Sequence, residues 1–247
     1  MGASTRRRVE LLKRNPASDV GHAILCQRAT SYTWNWDEAE RECAAALAAP
    51  RRSVGGDYET ALLALARGDY AQSELHFRSV FASDPLYADA HVEISQPLLR
   101  LGRLSEAESE VRRGLEISPT FLFGHFNLGT VLMAEGRLKE AQHEFELEAP
   151  EGGQQAGLAV VYFALGRLTD SQAALDRFVR EYGADHPFNV AEIYAYVGNA
   201  DHAFEWLERA YQQRDNWLRY LKGDWKLRGI EHDPRYRAFL QMMNLPG

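Results

Sequence analysis

The chain has 247 residues, 45% apolar and 26% charged, enough apolar side chain for a sizeable core. A net charge of −7 argues against a nucleic-acid footprint over the whole surface. No apolar run approaches the ~18 residues of a membrane span, and residues 1–20 lack the hydrophobic stretch of a secretory signal, so a cytoplasmic protein with neither nucleic-acid nor membrane partners is expected.

One spacing runs through the middle of the chain. Gly102-Arg-Leu-Ser-Glu-Ala107 is echoed 34 residues later by Gly136-Arg-Leu-Lys-Glu-Ala141, and the two copies reach Pro119 and Pro150. Self-similarity at such a period is the mark of stacked helical hairpins. On these residues the chain resembles a tetratricopeptide-repeat protein, over about residues 20–243. The resemblance implies an all-α, right-handed solenoid of about six helix-turn-helix repeats, roughly fourteen to sixteen helices, with a C-terminal capping segment. The family places small residues at positions 8, 20 and 27 of each unit. That frame sets the units at 20–53, 54–87, 88–121, 122–151, 152–183 and 184–215.

Taken in order, residues 1–19 read as one helix of a partial N-terminal repeat, ended by Asn15-Pro16. The array then begins mid-repeat, as in a piece of a longer protein. Arg6, Arg7, Arg8, Lys13 and Arg14 read as the solvated face of that helix. In the first unit Ala39 and Ala46 hold small positions. Cys26 and Cys43 fall at positions 7 and 24, which pack between helices in the family, and are expected as reduced, buried small hydrophobes. The second unit has Ala61 and Ser73 at its small positions and Gly68-Asp69 at its turn. The third has Ala107 and Gly114, but Pro97 lies inside its first helix, where it removes a backbone donor and should kink the chain.

Gly129 and Ala141 mark the fourth unit, Ala159 and Ser171 the fifth, and Ala191, Ala203 and Ala210 the sixth. The tail, 216–247, breaks the period and reads as the cap, with Asp233 and Pro234 opening a last helix. Its Leu227-Arg-Gly-Ile-Glu-His-Asp-Pro-Arg-Tyr236 resembles the closing segment of tetratricopeptide arrays attached to bacterial winged-helix regulators and class III adenylate cyclases. Trp34-Asn-Trp-Asp-Glu-Ala39 resembles their opening repeat. A bacterial protein is expected from that likeness.

In the resembled family, positions 2, 5, 9, 12 and 13 of each unit face the concave groove. Here they include Arg28, Tyr58, Arg100, Phe123, Phe126, Met133, Val160, Phe163, Phe188, Glu192 and Tyr196, with Asn127 adjacent at position 6. So apolar and aromatic a face points to a partner. The leading expectation is a non-catalytic scaffold that holds a protein partner's peptide or helix, the aromatics as anchors and Arg100, Asn127 and Glu192 setting register. Two alternatives stand beside it. The tail closes the groove into a small-molecule or catalytic pocket, or two copies cover each other as a homodimer. The carboxylate clamp of chaperone-binding arrays lacks its cations, since Val92 and Gly153 occupy their places.

Nothing in the sequence supplies a catalytic residue, a metal site or a cofactor motif. His91 and His125 share one position in adjacent units, ~8–10 Å apart, too far to share a zinc with bonds of ~2 Å. His-Glu-x-x-His and Cys-x-x-Cys are absent. Gly55-Gly56-Asp57 and Glu151-Gly152-Gly153 lack the Lys-Ser/Thr that follows a phosphate loop.

Overall fold

The computed structural model describes residues 18–50, 53–149 and 151–245. Of the partial repeat expected over 1–19, all but Ser18 and Asp19 lies outside the described residues. Helices and turns make up the rest, with no strand among the described residues.

The first hairpin is set by its caps. Ser18 opens α1 (Asp19–Arg28) by accepting the Gly21 N–H on its hydroxyl at 3.2 Å. The helix runs into a π turn, Ala29–Thr33, and Trp34 ends it in left-handed backbone at φ 48°. Asn35 then caps α2 (Trp36–Ala48), its Oδ1 accepting the Glu38 N–H at 3.2 Å.

Five further hairpins follow. They are α3 (Val54–Arg67) with α4 (Tyr70–Ser83), α5 (Ala88–Glu93) and α6 (Ser95–Arg100) with α7 (Leu104–Ile117), α8 (Gly124–Ala134) with α9 (Leu138–Leu147), α10 (Glu151–Ala164) with α11 (Leu168–Tyr182), and α12 (Pro187–Tyr196) with α13 (Ala200–Gln213). Each of these five turns on a glycine in left-handed backbone, such as Gly68 at φ 85° and Gly136 at φ 78°. A Cβ is disfavoured there, which is why glycine ends the first helix of each pair.

Helix approach depends on small side chains. Ala107, Ala141, Ala159, Ala191 and Ala203 are wholly buried. Phe145 of α9 fills the slot between α8 and α10, where a Cβ on Gly129 or Gly157 would stand 2.6 or 2.2 Å from its ring. The third hairpin is broken at Ile94, between α5 and α6. Pro97 has no N–H to offer the carbonyl of Glu93, and its ring crowds that carbonyl.

The two cysteines correct the sequence reading. Cys26 of α1 and Cys43 of α2 face each other across the first hairpin with Cα atoms 5.2 Å apart, and they form a disulfide. Positions that pack between helices are also positions within bridging distance.

After α13 the chain turns inward. Asp215 pins the turn, its carboxylate accepting the backbone N–H of Phe188 at 3.0 Å and of Trp217 at 2.9 Å. Two short 3₁₀ turns, Asn216–Tyr220 and Trp225–Leu227, then run along the concave face before α14 (Pro234–Met242). Asp233 caps α14 by accepting the Arg235 N–H at 2.9 Å. The tail, read from the sequence as a cap, also reaches the other end of the array. Trp36 Nε1 donates to the carbonyl of Met243 at 2.8 Å, and Trp34 stacks on Tyr211 of α13 at 5.0 Å. The opening and closing segments thus meet, and the solenoid closes around its own C-terminal segment.

Candidate functional site

The tail decides what the groove can do. Of the twelve groove residues expected from the sequence, seven lie off the cavity described below and pack against other parts of the chain, Arg28, Tyr58, Phe163 and Tyr196 of them half-buried. Arg100 is buried: Nη2 donates to the carbonyl of Tyr220 at 2.8 Å, Nε to that of Lys222 at 3.1 Å, and Nη1 to Gln96. Tyr196 and Trp225 stand edge-to-face at 5.3 Å, and Phe163 packs against Tyr196 at 5.8 Å. Tyr58 makes edge-to-face contacts with Phe77 and Tyr87, each at 5.7 Å. Met133 and Val160 are core, and Arg28 pairs with Glu38 of its own hairpin. The twelve residues thus do not share one surface, and backbone carbonyls of the tail take the Arg100 donors.

The other five, Phe123, Phe126, Asn127, Phe188 and Glu192, come together on one cavity of about 350 Å³. Its walls are the starts of α8, α10 and α12 on one side and the tail on the other. Phe123, Phe126, Ala156, Phe178, Phe188 and Trp217 form the apolar lining, and Trp217 and Phe123 stand edge-to-face at 5.5 Å. Glu93, Gln96, Asn127, Glu192, Asp224 and Lys226 form a polar end, with Glu151, Tyr182 and His186 also on the rim.

Each polar group is positioned. Glu148 caps α8 with both oxygens, accepting the N–H of Phe123 at 3.0 Å and of Phe126 at 2.7 Å. That double bond holds Phe123 in left-handed backbone at φ 63°, an unfavourable conformation for a ring-bearing residue. Asn127 donates to the Phe123 carbonyl at 2.8 Å and accepts from Gln96 at 2.8 Å. Lys226 Nζ reaches Glu192 Oε1 at 2.6 Å, and Asn189 donates to Oε2 at 3.0 Å. Burial pushes the Glu192 carboxyl up to about 8 against the pull of Lys226. Burial also works to lower Lys226, but Asp224 and Glu192 together hold it above its usual value.

Beside the cavity runs a buried polar chain. Arg219 donates to Ser31 Oγ at 3.2 Å and to Tyr220 Oη at 2.9 Å, and Tyr220 Oη donates to Glu93 Oε2 at 2.8 Å. Burial raises Glu93, with Arg219 opposing it. Glu59, next along, accepts from Gln27 at 3.0 Å through Oε1, while its buried Oε2 has no partner. Burial pushes Glu59 up to about 8, with the Arg219 charge opposing and Glu93 reinforcing.

A carboxyl raised this way makes the fold prefer the proton. Between 4.5 and about 8 the folded chain holds a proton that the unfolded chain has lost, so stability is full below 4.5 and falls as pH rises through 8. Urea unfolding at pH 5.5 and pH 8 should show the lower midpoint at pH 8. Glu59→Gln should remove a fall on the order of 1 kcal/mol per pH unit; an unaltered pH slope in the variant would mean Glu59 is ionised in the fold.

Two of the histidines are struts. His91 and His125 each bond a glutamate of the facing helix, Glu110 and Glu144, both at 2.7 Å. No three His, Cys, Asp or Glu side chains gather as a metal site among the described residues.

Sequence reasoning missed Glu93, Glu148, Trp217, Tyr220 and Lys226. The one available signal was the aromatic run Asn216-Trp-Leu-Arg-Tyr-Leu221, too apolar for a solvated tail.

A family model described as tetratricopeptide repeat matches residues 58–120. Solved structures share the architecture: PilF of Pseudomonas aeruginosa (TM-score 0.58, 16% identity, 85% of this chain and 97% of that one) and the thermophilic protein TTC0263 of Thermus thermophilus (0.54, 20%, 76% and 100%). The fold is a tetratricopeptide-repeat solenoid. A chain of the APC/C hetero-tetramer Cut9–Hcn1 superposes over 96% of this solenoid and 45% of its own length, at TM-score 0.64 and 14% identity. No curated protein matches the chain in sequence. At these identities the likeness shows the fold, and a tetratricopeptide-repeat solenoid is in general a protein-interaction scaffold. Among the described residues no helix is long and apolar enough to cross a membrane.

Proposed function

We propose that this tetratricopeptide-repeat solenoid is a non-catalytic binding protein whose recognition element is the tail-closed cavity. The observation that carries the reading is the path of residues 216–227, which occupy the concave face and leave about 350 Å³ open beside Trp217. A volume of that order, mostly apolar with a few set polar groups, is that of a small-ligand pocket. An extended peptide would need the carbonyl-binding groups that Arg100 already gives to Tyr220 and Lys222. The expected peptide groove thus narrows to a pocket that takes one compact group. The Cys26–Cys43 bridge favours an oxidising compartment over the cytoplasm expected from the sequence.

Filling the cavity tests the reading. Ala156 lines it, and Ala156→Trp should keep the helical spectrum while abolishing the thermal shift that small aromatic fragments give the parent chain. Fragments that stabilise both proteins equally would place recognition elsewhere on the solenoid.

A further inference from the structure

The cavity has a charge pattern as well as a shape. Glu93, Glu192, Asp224 and Glu151 are the carboxylates on its lining, and Lys226 is its one ammonium. Lys226 is already held by Glu192 at 2.6 Å and lies 3.9 Å from Asp224. The nearby guanidinium groups are engaged with the chain: Arg100 binds tail carbonyls and stands 3.7 Å from Asp224, Arg177 pairs with Glu151, and Arg219 binds Ser31 and Tyr220. Glu93 is different. Its Oε2 accepts from Tyr220, whereas Oε1 accepts no hydrogen bond among the described residues. Glu93 is half-buried, and a carboxylate oxygen with a vacant acceptor site on a cavity wall takes a donor from whatever fills the cavity.

The rest of the lining suits a positive donor. Phe123, Phe126, Phe178, Phe188 and Trp217 surround the space with π systems, whose faces attract cations and repel anions. The cavity lining already shows this chemistry, because the Lys226 ammonium stands 5.8 Å from the centre of the Phe126 ring. An anionic ligand would meet carboxylates and ring faces together. A neutral apolar ligand would leave Glu93 Oε1 unsatisfied.

We propose that the cavity binds a small organic cation: a protonated amine set against Glu93, carried on an apolar or aromatic body that lies among Phe123, Phe126 and Trp217. The proposal rests on the pocket reading above and names the chemistry of its occupant.

Three probes of nearly one size separate the two ideas: 2-phenylethylammonium, 2-phenylethanol and phenylacetate, each titrated into the full chain by calorimetry. The ammonium should bind at least tenfold more tightly than the alcohol, and phenylacetate should give no heat. Glu93→Gln keeps an acceptor for Tyr220 and should weaken the ammonium at least tenfold, narrowing its lead over the alcohol. Phe126→Leu keeps apolar volume but removes a π face, and should also reduce that lead. An alcohol or carboxylate that binds as well as the ammonium overturns the cation proposal and leaves the pocket standing. Should none of the three bind the parent chain, the pocket reading fails and this proposal with it.

Discussion

A chain that stops at Asp215 should not fold cooperatively. The tail buries Leu218, Leu221 and Leu227 completely, and Ile230, Leu240, Met243 and Leu245 to within 5% exposure. Burying an aliphatic side chain of that size is worth about 1.5–3 kcal/mol, while a whole domain is stable by only about 5–15 kcal/mol. The ordering entropy of the tail is removed along with it, so the loss is smaller than the sum. The groove walls nevertheless lose their cover, since Leu62, Leu65, Phe188 and Ile193 are all at most 2% exposed with the tail in place. Arg100 and Glu192 also lose the partners that neutralise them in the interior. The truncated chain should show partial helicity, dye-binding apolar surface and no sharp urea transition. A milder version is Leu221→Ala, which should cost about 2–5 kcal/mol in urea unfolding of the full chain. If the truncated chain melts as sharply as the parent and within a few degrees of it, the tail is a dispensable flap and the groove opens to peptides.

Reducing the Cys26–Cys43 bridge should be the second large effect. The closed loop spans 17 residues, and the loop-entropy relation gives about 3 kcal/mol for a loop of that length. Both sulfurs lie buried in the first hairpin, beside the Trp34 and Trp36 contacts that join the ends of the solenoid. Reductant should therefore lower the urea midpoint of the parent chain and leave a Cys26→Ala, Cys43→Ala double variant unmoved. The intact mass should be two hydrogens below that of the dithiol form. Two titratable thiols in freshly purified protein would remove the bridge, and with it the reason to place the chain in an oxidising compartment.

The particular residues show why one part of this protein was legible and another was not. Gly136 and Ala141 could be read because what they do is local: a left-handed turn and a close helix approach within one hairpin, repeated at one period. Asp233 was readable for the same reason, since a cap and its helix are neighbours in sequence. The pairing of Cys26 with Cys43 needed the angle at which two helices face each other; their repeat positions said only that both lie between helices. Phe123 and Phe188 were expected in the groove and stand on the cavity, but their neighbours there, Trp217 and Lys226, come from the tail.

By itself the sequence determined the repeat, the all-helical class and the turns, because period, small residues and caps act over a few residues and leave their spacing in the chain. Only the tertiary structure decided that the groove is closed. The bonds that close it, Arg100 to Tyr220 across 120 residues and Trp36 to Met243 across 207, join segments with no common period. Their partners are largely backbone carbonyls, which every residue carries and no side-chain pattern records.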